Sequence, residues 1–351
     1  MYGLEPLKND NKKRISVHIS LCAGILGITG IFIWFGMSAL LLPVAATAAV
    51  VLLLNVVLRR VGKLAVRNPK KWMVHVSSVL LAVITALLTV CSLVYSIQDR
   101  MFFYNVDSPK ARAFLQSIPG YSDIEYTAAN GKTYHGMMYQ PTDEIAPLVI
   151  YFGGNGECSY QRMDLLEAND RWQYYAGYNY LYVDYEGYGL NGGKTHYLNM
   201  YEEALAVFDY AAALPNVDTS HIVTMGYSLG TGSAVYLAAN RPVAGLILAA
   251  PYAEGIDAYN SMLPIFYGPM KLLVKQRLPS YEYAPNVTCP ALVIASRSDG
   301  MIPYSSSERL AKLLSGSLEF ITLDNNDHNS LFPVDGVYNR IQSFLEGVAS
   351  K

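Results

Sequence analysis

The chain has 351 residues, a formal net charge of −2 and only 15% charged residues. Its mean hydropathy is positive, at +0.19, which is unusual for a soluble enzyme of this size. The length allows one large domain or two small ones.

Two long segments near the start of the chain lack Asp, Glu, Lys and Arg altogether. They cover residues 15–58 and 73–97. A membrane-spanning helix needs about 20 apolar residues, because each residue advances 1.5 Å across roughly 30 Å of hydrocarbon. The first segment is long enough for two spans with a break at 36–38, whereas a cleaved signal peptide has one short apolar core. We therefore predict a membrane anchor over residues 1–97 with transmembrane helices at about 15–35, 38–58 and 73–97.

Basic residues beside these segments predict their orientation. Residues 1–14 contain four Lys and Arg, and residues 59–72 contain six with no acidic residue. Lys and Arg close to membrane spans favour the cytoplasmic side. Three spans then place residues 98–351 on the outer face of the cell membrane. If 15–58 formed one span with a re-entrant or interfacial helix, the two basic segments would lie on opposite faces, in conflict with that preference.

The rest of the chain is acidic. Residues 98–351 contain 16 Lys and Arg against 26 Asp and Glu, a net charge of 16 − 26 = −10, which argues against nucleic acid as a partner. Cys158 and Cys289 are expected at opposite ends of a sheet, and no C-x-x-C spacing is present. We expect neither a metal nor another cofactor, and the sequence leaves the oligomeric state open.

Strands and helices alternate after a polar-apolar connector at residues 99–120, which is predicted to be helical near 109–117. Asn130-Gly131 predicts a hairpin between strands at 124–127 and 133–139, since Asn-Gly is the strongest short hairpin signal. Apolar runs predict further strands at 148–152, 178–184, 222–224, 244–249, 291–295 and 318–322. Helices are predicted at 200–213, 233–240, 304–315 and 333–348. This alternation predicts an α/β fold with a mostly parallel sheet covered by helices on both faces.

The stretch Met225-Gly-Tyr-Ser-Leu-Gly-Thr-Gly232 contains G-x-S-x-G between a predicted strand and a predicted helix. This is the context in which the motif forms a sharp turn that exposes the serine hydroxyl. Glycines two residues to either side of the serine allow the strand and the helix to approach closely. The pattern makes Ser228 a candidate nucleophile.

Two further polar residues follow predicted strand ends. Asp299 follows the strand at 291–295, and His328 follows the strand at 318–322. Sites in open parallel sheets form at the carboxyl ends of strands. Ser228, Asp299 and His328 therefore form a candidate catalytic triad, in the chain order of α/β-hydrolases. His196 stays an alternative base, and Asp324 and Asp327 stay alternative acids.

Backbone amides near Ser228 are candidate oxyanion donors. The Leu229 amide lies at the start of the helix that follows the nucleophile, where helix N–H groups have no intrahelical acceptor. A second donor is expected from the loop Gly153-Gly-Asn-Gly156, whose glycines let the backbone approach a ligand. We assign this role to the Asn155 amide, although the loop could also be an ordinary glycine-rich turn.

Residues 120–348 resemble the α/β-hydrolase superfamily. Within it they are similar to membrane-associated serine hydrolases of the abhydrolase-domain and serine-aminopeptidase-like groups, which include protein depalmitoylases and lysophospholipid lipases. The resemblance rests on Tyr151-Phe-Gly-Gly-Asn-Gly156, Asp184-Tyr-Glu-Gly-Tyr-Gly189, the nucleophile motif, Gly245-Leu-Ile-Leu-Ala-Ala-Pro251, Ser298-Asp-Gly-Met-Ile-Pro303 and Asp327-His-Asn329. The chain departs from the family in having Gly153-Gly154 instead of His-Gly, and Glu186 where Arg is frequent.

The insert at about 251–288 is rich in aromatic and aliphatic residues, and we expect it to cap the catalytic domain of residues 98–351. An apolar cap beside an apolar anchor suits an acyl chain. The sequence therefore predicts a membrane-anchored serine hydrolase of a lipid-like or acylated ester or thioester. A serine peptidase that holds the substrate ammonium with Glu157 or Glu186 is the alternative, and a non-catalytic interaction module is the second.

Overall fold

The computed structural model of the protein describes residues 87–89, 91–100, 102–334 and 336–350. The chain divides into two compact units, Met1–Gln98 and Asp99–Lys351. The two predicted spans at 15–35 and 38–58, most of the span at 73–97 and both basic segments lie outside the described residues. In the described part of the first unit, residues 87–89 and 91–98 are helical. None of the described helices combines the length and the apolar character that crossing a bilayer requires.

One eight-stranded sheet organises the second unit, in the order β1-β2-β4-β3-β5-β6-β7-β8. Strand β2 is antiparallel to its neighbours β1 and β4, and the other neighbouring strands are parallel. The strands are β1 Tyr121–Thr127, β2 Thr133–Tyr139, β3 Ala146–Phe152, β4 Asn179–Val183, β5 Val217–Tyr227, β6 Gly245–Ala249, β7 Ala291–Ser296 and β8 Leu318–Leu323.

The predicted hairpin is present at the antiparallel edge of the sheet. Thr127 and Thr133 are paired at the ends of β1 and β2, and Gly131 has a φ of +79° in the turn between them. A residue with a side chain is disfavoured at such a φ, so Asn130-Gly131 suits this turn.

Eight α-helices precede, connect or follow these strands in the described residues of the second unit. They are α1 Pro109–Leu115, α2 Ser159–Ala168, α3 Tyr197–Ala212, α4 Gly230–Asn240, α5 Gly255–Met262, α6 Ser280–Tyr283, α7 Tyr304–Ala311 and α8 Val337–Ala349. Short 3₁₀ turns lie at Trp172–Tyr175, Gly268–Leu273, Ala284–Asn286 and His328–Ser330.

The central strands are buried on both faces, as expected for a parallel sheet between helices. Every residue of β4, β6 and β7 is buried. Alternate residues of β3 to β7 pack with α2 and α8 in one apolar cluster, in which Tyr151, Tyr180 and Tyr182 are completely buried. The interior on this side is therefore largely aromatic.

Helix α2 has no counterpart among the predicted helices. Its buried face includes Ser159 and Arg162 as well as Tyr160, Met163 and Leu166. Apolar periodicity is weak when polar residues are buried, so the pattern from which helices are predicted was missing here.

The segment at 251–288 follows β6 and contains the short helices α5 and α6 with a 3₁₀ turn between them. Tyr252, Tyr259 and Phe266 are buried, whereas Tyr267 and Leu272 are exposed. Part of the apolar content of this segment therefore packs inward, and part faces the surface.

Candidate active site

Ser228 lies at the turn between β5 and α4 with a φ of +49°. This left-handed conformation is costly for a residue with a Cβ, and such strain is a frequent feature of functional turns. The flanking glycines make the turn sterically feasible. A Cβ on Gly226 would lie 2.6 Å from the Gly230 carbonyl oxygen, and a Cβ on Gly230 would lie 2.1 Å from the Phe152 carbonyl oxygen. No other residue type fits at either position.

Hydrogen bonds hold this turn in place. The Ser228 amide donates to the Ala249 carbonyl at 2.9 Å, and the Ser228 carbonyl accepts from the Thr231 hydroxyl at 2.6 Å. The buried Tyr252 hydroxyl donates to the Leu229 carbonyl at 2.9 Å. These contacts fix the backbone on both sides of the serine, so its hydroxyl is preorganised.

The three predicted catalytic side chains come together at the carboxyl ends of β5, β7 and β8. His328 Nε2 lies 2.7 Å from Ser228 Oγ, and His328 Nδ1 lies 2.7 Å from Asp299 Oδ2. The His328 side chain is 6% exposed and the Asp299 side chain 2%. Asp299 Oδ1 accepts from the Met301 and Ile302 amides at 2.8 Å each, which orients the carboxylate toward the imidazole.

The alternative bases and acids have other partners. His196 caps α3, where its Nδ1 accepts from the Leu198 amide, and burial lowers the pKa of its imidazole. Asp324 pairs with Arg297 at 3.1 Å, and among the described carboxylates it is Asp299, not Asp324 or Asp327, that bonds the His328 imidazole. Of these candidates, only His328 and Asp299 join Ser228 in one line of hydrogen bonds.

The loop after β3 and the turn after β5 lie side by side. Asn155, Ser228 and Leu229 line the same cavity. The Gly154 amide is already engaged, because it donates to Glu157 Oε2 at 2.8 Å. Among the described residues, no acceptor is paired with the amide of Asn155 or Leu229. These two amides are therefore available to an oxyanion.

Comparison with known proteins gives relatives of two kinds, although no protein-family model matches the chain. A protein of Mycobacterium tuberculosis named as uncharacterised is 28% identical over 263 residues, which are 74% of this chain and 91% of that protein. An alpha/beta hydrolase domain-containing protein of Caenorhabditis elegans is 30% identical over 172 residues. That match covers 49% of this chain and 50% of the nematode protein.

Solved structures share the architecture at low identity. An esterase of Pyrococcus furiosus aligns with a TM-score of 0.54 and 17% identity over 70% of this chain and 98% of the esterase. The 2,6-dihydroxy-pseudo-oxynicotine hydrolase aligns with a TM-score of 0.57 and 17% identity over 75% of this chain and 81% of that one. The chain has the α/β-hydrolase fold. The predicted resemblance to this superfamily is thereby confirmed.

Tyr182 accounts for glycine at position 153, where the resemblance to α/β-hydrolases implied His. A Cβ on Gly153 would lie 1.8 Å from the Tyr182 hydroxyl oxygen, so no side chain fits there. The Tyr182 hydroxyl donates to the Glu157 carbonyl at 3.0 Å, and the Tyr185 hydroxyl donates to the Gly153 carbonyl at 2.9 Å. Two buried tyrosines thus support the loop after β3.

Glu186, the second position at which the chain differs from the pattern implied by the resemblance, faces the hairpin. Its carboxylate pairs with Lys132 at 2.5 Å and accepts from the Asn199 side-chain amide at 3.0 Å. Glu186 is not among the residues that line the Ser228 cavity. The change of charge at this position is therefore balanced locally by Lys132.

The cavity beside Ser228 has a volume of about 120 Å³ and a mainly apolar lining. Its walls come from five parts of the fold: the connector, the loop after β3, the turn after β5, the segment at 251–288 and the loop after β7. The residues are Phe102, Tyr104, Asn155, Ser228, Leu229, Tyr252, Ala258, Met262, Leu278, Met301 and Ile302. No charged side chain is among these lining residues.

The connector forms a wall of the site, which no pattern in the sequence indicated. Asn155 fixes it there: its side-chain amide donates to the Phe102 carbonyl, and its Oδ1 accepts from the Tyr104 amide at 3.0 Å and the Tyr188 hydroxyl at 2.6 Å. Phe102 also stacks on Tyr259, with 4.6 Å between ring centroids. These contacts join positions between 33 and 157 residues apart (188 − 155 = 33; 259 − 102 = 157), which no local pattern predicts. Elsewhere in the described chain, no cluster of His, Cys, Asp and Glu could hold a metal ion.

Proposed function

We propose that the protein is a serine hydrolase that cleaves an ester or thioester through a covalent acyl-enzyme. The observation that carries this proposal is the line of two 2.7 Å hydrogen bonds from Ser228 through His328 to Asp299. Such a line lets the imidazole accept the serine proton while the carboxylate fixes its tautomer and stabilises the imidazolium.

The reaction follows from these positions. Ser228 Oγ attacks the substrate carbonyl carbon as its proton passes to His328 Nε2. The carbonyl oxygen becomes an oxyanion, which the free amides of Leu229 and Asn155 stabilise; one such donor typically contributes a factor of about 10²–10³ to the rate. His328 then protonates the leaving alcohol or thiol. A water molecule, activated by the same imidazole, hydrolyses the acyl-enzyme.

The surroundings favour an ester or thioester over the substrate of an exopeptidase. An exopeptidase of this type needs a free carboxylate for the substrate ammonium. Glu157 is engaged by the Gly154 amide and the Tyr151 hydroxyl, and Glu186 is paired with Lys132. Neither candidate carboxylate lines the Ser228 cavity. The peptidase alternative therefore has less support.

The apolar cavity supports a lipid-like or acylated substrate. Three of its lining residues, Tyr104, Met262 and Met301, are also exposed at its rim, so apolar surface continues outward from the serine. Together with the charge-free segments 15–58 and 73–97, this supports an enzyme anchored in the cell membrane that acts on acyl groups there. The proposed substrate is thus an apolar acyl ester, and membrane lipids surround the anchor.

The proposed location of the catalytic domain is extracytoplasmic, because the basic segments 1–14 and 59–72 favour the cytoplasmic side. Protease added to intact cells or spheroplasts should digest residues 98–351 and spare the 59–72 loop. Protection of the catalytic domain until the membrane is permeabilised would place it inside and contradict this topology.

Activity is tested with the full chain and a fluorophosphonate probe, followed by a panel of acyl esters and aminoacyl amides. The wild type should be labelled, and Ser228→Ala should lose both the label and activity by several orders of magnitude. Ser233→Ala is the matched control, because Ser233 is a buried serine of the adjacent helix α4 with an unbonded hydroxyl. Full labelling of Ser228→Ala, or a preference for amides, would overturn the proposal.

The triad is tested in the same assay. His328→Ala should reduce activity about as much as loss of the serine, because triad members act as a unit. Asp299→Asn should retain more activity, since the oxyanion donors persist. An active His328→Ala beside an inactive His196→Ala would refute the assignment.

A further inference from the structure

A second cavity lies behind the loops that carry the catalytic residues. Its volume is about 310 Å³, and its walls include Glu157, Arg162, Arg171, Tyr227, Asn329 and Tyr338. Tyr227 precedes the nucleophile, and Asn329 follows the catalytic histidine. The cavity is separate from the Ser228 cavity, with which it shares no lining residue.

Arg162 is a buried cation in the wall of this cavity. Its residue surface is only 7% exposed, and neither Nε nor Nη2 has a hydrogen-bond acceptor. The guanidinium lies between aromatic rings, with its central carbon 4.9 Å from the centre of Tyr151 and 4.6 Å from that of Phe332. Aromatic faces stabilise a cation, but they leave these two N–H groups unbonded. A buried guanidinium normally has its donors satisfied, so this arrangement calls for a further partner.

Glu157 balances Arg162 only in part. Its Oε1 lies 3.8 Å from Arg162 Nε, beyond hydrogen-bond distance. Its Oε2 accepts from the Gly154 amide at 2.8 Å and from the Tyr151 hydroxyl at 3.0 Å. This carboxylate is therefore shared between the oxyanion loop and the arginine.

Arg171 adds a second positive charge to the same cavity. Its guanidinium lies 4.9 Å from the centre of the Tyr338 ring and 6.0 Å from that of Tyr174. Among the described residues, no carboxylate lies within ion-pair distance of it. The charged residues lining the cavity are thus two arginines and one glutamate, a net charge of +1.

We propose that this cavity binds a phosphate monoester, with its oxygens held by Arg171 and by Arg162, whose enclosed Nε and Nη2 turn toward the ligand when it binds. Guanidinium groups present paired N–H donors that match phosphate oxygens, and charge-assisted bonds of this kind are short and strong. The volume corresponds to roughly ten water molecules at about 30 Å³ each, so the site has room for a phosphate and a small organic group. A soluble phosphorylated metabolite and a phospholipid headgroup share this chemistry.

Occupation of the cavity would act on the catalytic loops through two residues. The Tyr227 hydroxyl donates to the His328 carbonyl at 2.9 Å, and its ring stacks on the imidazole at 5.4 Å. Glu157 holds the Gly154 amide. A phosphate that draws Arg162 away from Glu157 would alter the hydrogen bond between Glu157 and the Gly154 amide in the oxyanion loop. We therefore expect the rate of hydrolysis to change when the ligand binds.

The test is direct binding to the full chain in a non-ionic detergent. Inorganic phosphate is titrated by calorimetry and by thermal unfolding, against chloride at matched ionic strength. We expect a saturable heat and a phosphate-dependent rise in melting temperature, because a ligand of the folded state stabilises it. Neither readout depends on catalysis, and both should persist in Ser228→Ala. The absence of saturable binding above the chloride control would overturn the proposal.

Variants then assign the site. Arg171→Gln should weaken phosphate binding at least tenfold, the effect expected for loss of one charge-assisted contact. Arg162→Lys keeps the charge but loses the paired donors, and should also weaken binding. Arg340→Gln is the control, because Arg340 is exposed and pairs with Glu319 outside the cavity. Unchanged affinity in Arg171→Gln would refute the site even if Arg162→Lys failed to fold.

Competition separates the two sources of the phosphate. Displacement by glycerol 3-phosphate in solution would support a soluble metabolite as the ligand. Displacement by phosphatidic acid in mixed micelles, with no effect of glycerol 3-phosphate, would support a lipid headgroup. Failure of both to compete with inorganic phosphate would contradict a monoester site.

Discussion

The size of the Ser228 cavity predicts how hydrolysis depends on acyl-chain length. A volume of about 120 Å³ corresponds to roughly four atoms of chain, at about 30 Å³ for each water-sized group. Each buried methylene contributes about 0.8 kcal/mol, which is about a fourfold gain in kcat/KM. Going from acetyl to hexanoyl esters adds four methylenes, so kcat/KM should rise roughly 200-fold.

Longer chains should gain much less. Beyond the cavity the chain meets Tyr104, Met262 and Met301, which are 60%, 49% and 41% exposed, so further methylenes stay partly in contact with water. Past about six carbons we expect kcat/KM to rise less than twofold per methylene, because each added methylene then contributes less than half of the free energy of full burial. The assay is kcat/KM for p-nitrophenyl esters from acetyl to dodecanoyl, measured below the concentration at which each ester forms micelles.

Phe102→Ala supplies the matched perturbation. It removes the ring that closes the cavity against Tyr259, so the steep part of the profile should extend by several carbons. Phe114→Ala is the control, because Phe114 is a half-exposed ring on α1, outside the cavity. A preference for acetyl, a steep rise continuing past decanoyl, or an unchanged profile in a folded Phe102→Ala would refute this account of the pocket.

Three further predictions concern the scaffold around the site. Gly153→Ala should lower the melting temperature by about 2–12 °C, because its Cβ would lie 1.8 Å from the Tyr182 hydroxyl oxygen, overpacking costs roughly 1–3 kcal/mol, and each kcal/mol shifts a domain of this size by about 2–4 °C. An unchanged melting curve would contradict the steric role assigned to Tyr182. Asn155→Ala should lose its bonds to the connector and flatten the acyl-chain profile while fluorophosphonate labelling persists; an unchanged profile would show that other contacts hold the wall. Burial raises the pKa of Asp184 to about 7, so folding favours its protonated form, and the free energy of unfolding should fall as the pH rises from about 4 through 7. Chemical unfolding between pH 5 and 8 should show a smaller fall in Asp184→Asn than in the wild type. An equal pH slope in both proteins would exclude Asp184 as its source.

Local sequence patterns predicted those parts of the fold that depend on neighbouring residues. The run at 148–152 lies within β3, which begins two residues earlier, and the run at 222–224 lies within the longer β5, Val217–Tyr227. Apolar runs identify the buried middle of a strand, whereas polar residues such as Asp218 and Thr219 at its start carry no such signal. Strand existence was therefore predictable, and strand ends were not.

The candidate triad was predictable because each residue follows a strand end and parallel strands bring those ends together. Its geometry was not, since the 2.7 Å contacts of His328 join segments 100 and 29 positions away. The connector wall of the Ser228 cavity was even less predictable from the sequence. Phe102 and Tyr104 belong to a polar-apolar connector without periodicity, and contacts with Asn155 and Tyr259, which lie far away in the chain, hold them in place. Buried Arg162 even obscured α2, because a charged residue on an inward face contradicts the usual pattern.

The connector has a practical consequence for preparing a soluble catalytic fragment. The usual choice would be to begin at the first regular element, α1, and discard everything before Pro109. Such a fragment would keep the triad but lack Phe102 and Tyr104, and the carbonyl and amide that Asn155 binds would be missing. Its substrate profile would describe a wider and more solvent-exposed groove than that of the full chain. Substrate profiles of the isolated domain will therefore be meaningful only when it begins at or before Asp99, the first residue of the second unit.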